Sequence, residues 1–527
     1  MPDDLTQVPL DQPTAESAPV TSEPALGVRA AGSRLRGLGR QSWLIVWLLV
    51  AIAGVGMLVS TPPSAGPDEP DHEVTAWYLS GHGLRPGSIE WFSVPASLLV
   101  DPCFKHESDV TASCMPSRST AQVMVSTSRV LPYPPPYYWV VGVGQRLAAS
   151  LVGIEYADVG GRLASFILNF GALLLLSVYM RRRNPWWGTF LLLVSTPTAV
   201  FMGIVVNPNG WEITCGLVMA AVLSEAVWSR QSLGSHAWPK TTALMLVVAS
   251  GALCLSRPLG FIWASGLTLS AIALAPSINR RLLMRVACSV APGIVLGMLW
   301  TLTYPSLTPN GAASSPPPAI FALWFAISLA MLPARIEQMF GVLGWLDTPL
   351  PMLFMATYIV AWGALLIRLP SIRKAAVLCG VLGIVILPGA IEASGGASLP
   401  LWWQGRYTLP FALGFVLLLL LRSGQVIPRT ISIVSGISLL SLGLMVWTNA
   451  VRYDFGLGAL GVPASLGPQG ISPVRLLLSV AIGALLLLAG GYLLVQAWRM
   501  ERDLRPRLES ELLSTPASLP SGGSADA

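Results

Sequence analysis

The chain has 527 residues and a formal net charge of +6, yet only 11% of its residues are charged and 53% are hydrophobic. Soluble proteins carry roughly 25% charged residues. With a mean hydropathy of +0.63, the chain cannot cover a water-facing surface. A soluble enzyme, a secreted disulfide scaffold and a disordered hub are therefore excluded, and an all-α polytopic membrane protein is expected. The positive charge does not indicate nucleic acid, because Lys and Arg occupy short segments between apolar runs, where they set topology.

Residues 1–41 are rich in Pro, Ser, Ala and acidic residues, then turn basic at Arg29, Arg34, Arg36 and Arg40. They read as a disordered cytoplasmic tail. The apolar run at 42–61 lacks an A-x-A cleavage site and follows a long polar segment, so a retained anchor is expected. Further runs lie at about 161–180, 187–206, 210–228, 240–256, 258–276, 285–304, 350–368, 375–391, 408–421, 430–449 and 475–497. They predict about twelve transmembrane helices within a membrane domain of 42–498. A second disordered cytoplasmic tail is expected at 499–527. With the N-terminus inside, the basic clusters at 181–183, 280–285, 368–374, 422–429 and 499–507 all face the cytoplasm. The stretches 136–152 and 318–332 would each disturb that alternation by crossing alone. They read as interfacial or re-entrant helices on the outer face, the alternative being that both cross.

The first outer loop, 62–160, carries ten of the 26 acidic residues and three of the four histidines. It begins with Gly66-Pro67-Asp68-Glu69-Pro70-Asp71-His72-Glu73. Pro70 suits the first position of a helix running to about Leu79. Asp68 and Glu69 would then stand at its N-terminus, with His72 one turn further on the same side. Such carboxylates serve as a general base or hold a divalent cation. Capping accounts for one of them, not for four with a histidine. Cys103 and Cys114 share the same loop, where an oxidising compartment favours a disulfide. Tyr133 lies in Leu131-Pro132-Tyr133-Pro134-Pro135-Pro136-Tyr137-Tyr138-Trp139, an extended proline segment leading into an aromatic membrane anchor. Its hydroxyl can orient a substrate.

Three arginines stand at outer membrane ends: Arg257 in Ser-Arg-Pro, Arg335 in Pro-Ala-Arg-Ile-Glu, and Arg406 with Tyr407 in Trp-Trp-Gln-Gly-Arg-Tyr. Arginine suits bidentate contact with phosphate. Asp347 is a further outer carboxylate, and Asn207-Pro208-Asn209-Gly210 reads as a turn between crossings. No P-loop and no Rossmann glycine motif is present. The energy of any reaction therefore comes from an activated lipid substrate or a gradient.

These motifs, with Gly161-Arg162 and Gly344-Trp345-Leu346-Asp347 between them, resemble a bacterial family of predicted membrane proteins, domain of unknown function 2142. The likeness runs over about 42–450. That family in turn resembles the GT-C class of integral membrane glycosyltransferases. The resemblance implies a polyprenyl-phosphate sugar donor and interfacial helices in the first outer loop. It also implies a catalytic carboxylate there, Asp68 with Glu69 beside it. His72, Tyr133, Arg257, Arg335, Arg406 and Tyr407 would bind substrate. The expected protein lies in the bacterial cytoplasmic membrane and acts on an envelope glycan, lipid or protein at the outer face. The first loop shows no D-x-D pattern, so a metal requirement is not fixed. A transporter or flippase for a lipid-linked saccharide is the alternative.

Overall fold

The computed structural model describes residues 25–82, 91–115, 123–228, 240–304, 318–352, 374–394, 402–423, 428–458 and 472–514, with isolated positions at 355–363 and 463. It is mostly helical. Helix α1 (Ala25–Ser60) leads to α2 (Glu69–His82) and a two-stranded antiparallel sheet, β1 (Phe92–Pro95) with β2 (Val123–Ser126). Then come α3 (Pro136–Leu151), α4 (Ala157–Met180), α5 (Trp187–Val194), α6 (Pro197–Ile204) and α7 (Pro208–Trp228). The chain continues through α8 (Lys240–Cys254), α9 (Gly260–Ala273), α10 (Arg280–Thr303), α11 (Pro318–Ala330) and α12 (Leu332–Gly341). A two-residue ladder, β3 (Val342–Leu343) with β4 (Thr348–Pro349), follows α12. Next are α13 (Lys374–Val381), a single π turn at Leu382–Ile386, and α14 (Leu387–Ser394). The last helices are α15 (Leu409–Ser423), α16 (Pro428–Phe455) and α17 (Pro473–Ser514).

Among the described residues, seven helices are long and apolar enough to cross a membrane, and up to nine spans result if each of two bent pairs is one. The twelve crossings expected from apolar runs are thus not all reproduced as full-length helices. The run at 187–206 is broken into α5 and α6, which meet at 79°. Thr196 and Pro197 cause this: the Thr196 hydroxyl accepts from the Ala199 amide and Pro197 opens α6, so a new helix starts inside the apolar run. Helices α8, α9 and α15 are shorter apolar helices. The run at 350–368 lies in larger part outside the described residues. The stretch 318–332 falls in the second bent pair, α11 with α12, at 47°. The stretch 136–152 forms α3. The tails expected at 1–41 and 499–527 are helical in part, because α1 begins at Ala25 and α17 runs to Ser514. The first extension carries Ala, Leu and Arg and the second Leu, Arg and Glu, all residues that favour helix.

Helix α7 is the most enclosed of the candidate spans, with 83% of its apolar stretch buried. The main apolar core surrounds it and draws on α1, α5, α6, α9 and α15. A smaller core under the first loop joins Val74, Tyr78 and Leu79 of α2 to Phe92, Val94, Tyr137, Tyr138 and Val141. Helices α3 and α4 touch backbone to backbone, where Gly144 and Gly160 leave no room for a side chain. Two layers therefore form: an apolar bundle, and a polar-loop layer packed on one end of it.

Candidate active site

The site grows from the turn after α1. Asp68 takes a left-handed backbone, φ 59°, which Asp tolerates better than most residues, and its carbonyl accepts from the His72 amide as α2 begins. The helix opens at Glu69, one residue before the expected position. The two adjacent acids point apart. Glu69 is fully buried and accepts from the Gly66 amide at 2.8 Å, the Val206 amide at 2.9 Å, and Arg162 Nε and Nη2 at 2.8 and 2.5 Å. Arg162 also donates to the Thr61 and Pro62 carbonyls at 2.8 and 2.7 Å. Glu69, expected as a second catalytic acid, is thus engaged by four donors and ties the turn to α4.

Asp68 keeps a third of its side chain exposed and accepts from Arg406 Nη2 at 2.8 Å. Arg129 Nη2 stands 3.8 Å from its other oxygen and grips Asp71 at 2.6 Å. Arg406 is 3% exposed. Its Nη2 also reaches the Tyr407 hydroxyl at 3.2 Å, while Nε and Nη1 are buried with no hydrogen-bond partner. Two nearby features set this arginine. The Gly405 amide donates to Gln338 Oε1 at 2.7 Å, and a Cβ on Gly405 would lie 2.1 Å from the Arg335 carbonyl oxygen. Only glycine permits that approach.

Arg257 completes the cluster. Its guanidinium lies 4.6 Å from the centre of the Tyr407 ring and 5.5 Å from that of Tyr133, donates to the Tyr133 hydroxyl at 3.5 Å, and stands 3.7 Å from Glu212. Arg406 lies 5.1 Å from the same Tyr407 ring, which therefore spaces two cations. His72 is buried, with Nδ1 2.8 Å from the Tyr138 hydroxyl and its ring 6.0 Å from that of Tyr133.

The electrostatics divide the roles. Burial pushes the Asp68 carboxyl up, but the surrounding cations, Arg406 foremost, outweigh it and hold the group below the usual carboxylate range. Burial, reinforced by Arg257, Arg406 and Arg129 against the opposing pull of Asp68, pushes His72 down to about 3. Asp68 is therefore ionised and His72 neutral at physiological pH.

Of the residues expected from sequence, Asp68, His72, Tyr133, Arg257, Arg406 and Tyr407 come together. Arg335 does not join them: it pairs with Glu392 and donates to Ser328 at 2.6 Å. Glu392 in turn accepts from the Trp403 amide at 2.9 Å, so this pair supports the segment that carries Arg406. Cys103 and Cys114 are joined by a disulfide. Asp347 pairs at 3.2 Å with Arg452, which donates to the Phe104, Glu107 and Val110 carbonyls and so fastens the disulfide loop to α16. Sequence reasoning missed Arg129, Glu212 and Arg452. A charged residue inside or beside an apolar run was the available signal. Among the described residues, no group of three or more His, Cys, Asp or Glu is arranged to hold a metal ion.

The fold and the cluster together define a multi-pass helical membrane protein with a buried arginine–carboxylate site at one end of its bundle. The chain belongs to the DUF2142 family of predicted membrane proteins, whose family model matches residues 51–415. Among solved structures, ArnT from Cupriavidus metallidurans is similar in its apo state at 14% identity and a TM-score of 0.39. The same protein bound to undecaprenyl phosphate is similar at 15% identity and a TM-score of 0.41. Each comparison covers 86% of this chain and 77% of ArnT. Among curated proteins, none matches the sequence.

Proposed function

We propose that the protein is a GT-C-like glycosyltransferase of the bacterial cytoplasmic membrane. It moves a sugar from a polyprenyl-phosphate donor to a hydroxyl of an envelope glycan, lipid or protein at the outer face, with both termini inside. The observation that carries this reading is the contact between Asp68 and Arg406, 338 residues apart and 2.8 Å from each other, with two nitrogens of the arginine left unpaired. A buried donor without an acceptor costs about 1–3 kcal/mol. A phosphate oxygen arriving as ligand removes that cost and makes the charge-assisted bonds arginine favours.

In the reaction, the acceptor oxygen attacks the anomeric carbon while Asp68 takes the acceptor's proton. The bond between that carbon and the phosphate oxygen breaks, and the electron pair stays on the phosphate. Arg406 meets the charge that develops there, and Arg257, held against the Tyr407 ring, adds a second positive group. Among the described residues, Asp68 is the carboxylate paired with Arg406, which fits one displacement with inversion. An apolar cavity of about 480 Å³, bordered by Phe261, Trp263, Gly383 and Phe411, offers room for the prenyl chain.

The test is transfer from radiolabelled polyprenyl-phosphate sugars to envelope glycans by protein in lipid nanodiscs. Asp68→Asn is expected to lower turnover by at least about 100-fold, the low end of the usual contribution of a general base. Turnover retained in the folded variant would remove Asp68 from this role. Movement of lipid-linked sugar between leaflets without any transfer would replace the enzyme with a flippase.

A further inference from the structure

The segment Asn207-Pro208-Asn209-Gly210 reads in sequence as a turn, yet with Trp211 and Glu212 after it, it sits between the two halves of the site. Its neighbour Val206 donates its amide to Glu69, and Asn207 Nδ2 donates to the Pro67 carbonyl at 2.8 Å, directly before Asp68. Asn207 Oδ1 accepts from the Asn209 amide at 2.9 Å, and Asn209 Nδ2 donates to Glu212 Oε2 at 3.2 Å. Glu212 Oε2 then faces Arg257 Nη1 at 3.7 Å. Asn207, Asn209 and Glu212 are all buried. One unbroken chain of contacts thus runs from the base to the second arginine.

From this chain we infer that Glu212 is a positioning residue that sets the strength of the anion site. Its carboxylate holds the Arg257 guanidinium beside Tyr133 and Tyr407, and offsets part of the positive charge offered to the phosphate. Three features support this. Glu212 is 1% exposed, so its charge acts in a poorly screened setting. Arg257 is itself only 13% exposed, and Glu212 is its acidic partner. The contact is an offset one at 3.7 Å rather than a close two-pronged bond. Glu212 therefore restrains the arginine without consuming its donors. Arg406 already faces Asp68, and a site whose Arg257 lacked an acidic partner would hold the lipid phosphate product more tightly. The carboxylate keeps that product able to leave.

The inference rests on the proposed phosphate site, and its test separates the two. Binding of polyprenyl phosphate to the full-length protein in nanodiscs is measured for wild type, Glu212→Gln and Glu212→Asp, with thermal unfolding recorded for each. Removing a buried charge at this distance is expected to tighten phosphate binding about tenfold in Glu212→Gln, since a unit charge near 4 Å acts strongly at low effective dielectric. Glu212→Asp keeps the charge and is expected to bind as wild type does. In turnover assays, kcat and KM should fall together in Glu212→Gln, because product leaves slowly. Damage to packing would weaken binding instead. A folded Glu212→Gln that binds as wild type does, or more weakly, overturns the role of Glu212 and leaves the phosphate site standing. No binding by wild type overturns both.

Discussion

Asp68 and Glu69 are neighbours in sequence with different chemistry. Asp68 accepts a hydrogen bond from Arg406, has Arg129 at 3.8 Å and keeps a third of its side chain open, whereas Glu69 is enclosed by four donors. Both acids stood out in a chain so poor in charge, and the sequence placed them together. It could not separate them, because the partner of Glu69 lies 93 residues away within an apolar run and that of Asp68 lies 338 away. The environment of Asp68 makes a pH prediction. A carboxyl held below its ordinary range stays ionised as the medium is acidified, so the acid limb of the rate profile should lie below the usual carboxylate value. Arg406→Gln removes the foremost charge that lowers it while burial continues to raise it. The limb should then move upward in a pH–rate profile of residual activity. A limb that stays in place would mean that Arg406 does not govern Asp68.

At the scale of elements, the turn between α1 and α2 is held by α4 and by the segment before α7 in addition to its own short-range bonds. Arg162 supplies most of this attachment through two carbonyls and the Glu69 carboxylate. Breaking a buried pair by removing one partner costs about 3–5 kcal/mol, because the other charge is left without compensation. Arg162→Met should therefore lower the unfolding temperature markedly in detergent, while Asp68→Asn, at a partly exposed acid, should leave it near wild type. Equal effects would show that the turn is held otherwise. The local pattern of proline and acid announced a helix near 70, and α2 is there. The Gly-Arg pair at 161–162 gave no comparable sign, since its meaning depends on which helix packs beside it. Likewise the Trp-Trp-Gln-Gly-Arg-Tyr motif was legible, but the Arg335 carbonyl that approaches its Gly405 was not.

For the whole molecule, hydropathy found the long helices well and the broken ones poorly. An apolar run reports what surrounds a segment, not where its backbone turns. Thr196-Pro197 therefore split one run at 79° without altering its composition. The polar layer was legible as an excess of acids in 62–160. Its closure onto residues near 257, 406 and 452 was not, because those contacts span hundreds of residues. The proposed orientation rests on the basic clusters. Alkaline phosphatase fused after residue 160 is expected to be active, and the same enzyme fused after residue 527 inactive. The reverse pattern would place the arginine–carboxylate cluster on the inner face and remove the proposed acceptors.

The Arg452 clamp carries a different implication. Three of its bonds end on main-chain oxygens, those of Phe104, Glu107 and Val110. Such a grip recognises the path of the loop rather than the identity of its side chains. Among the gripped residues, Phe104 is restricted as well, because its ring packs edge-on against Tyr453. Glu107 and Asp109, both outward-facing in a segment already closed by its disulfide, are under no such restriction. Sequence drift at those two positions leaves the attachment intact, whereas Lys in place of Arg452 has too few directed donors to reproduce it. The loop can thus diversify its outer surface without disturbing the Arg452 grip or the packing of Phe104 on Tyr453.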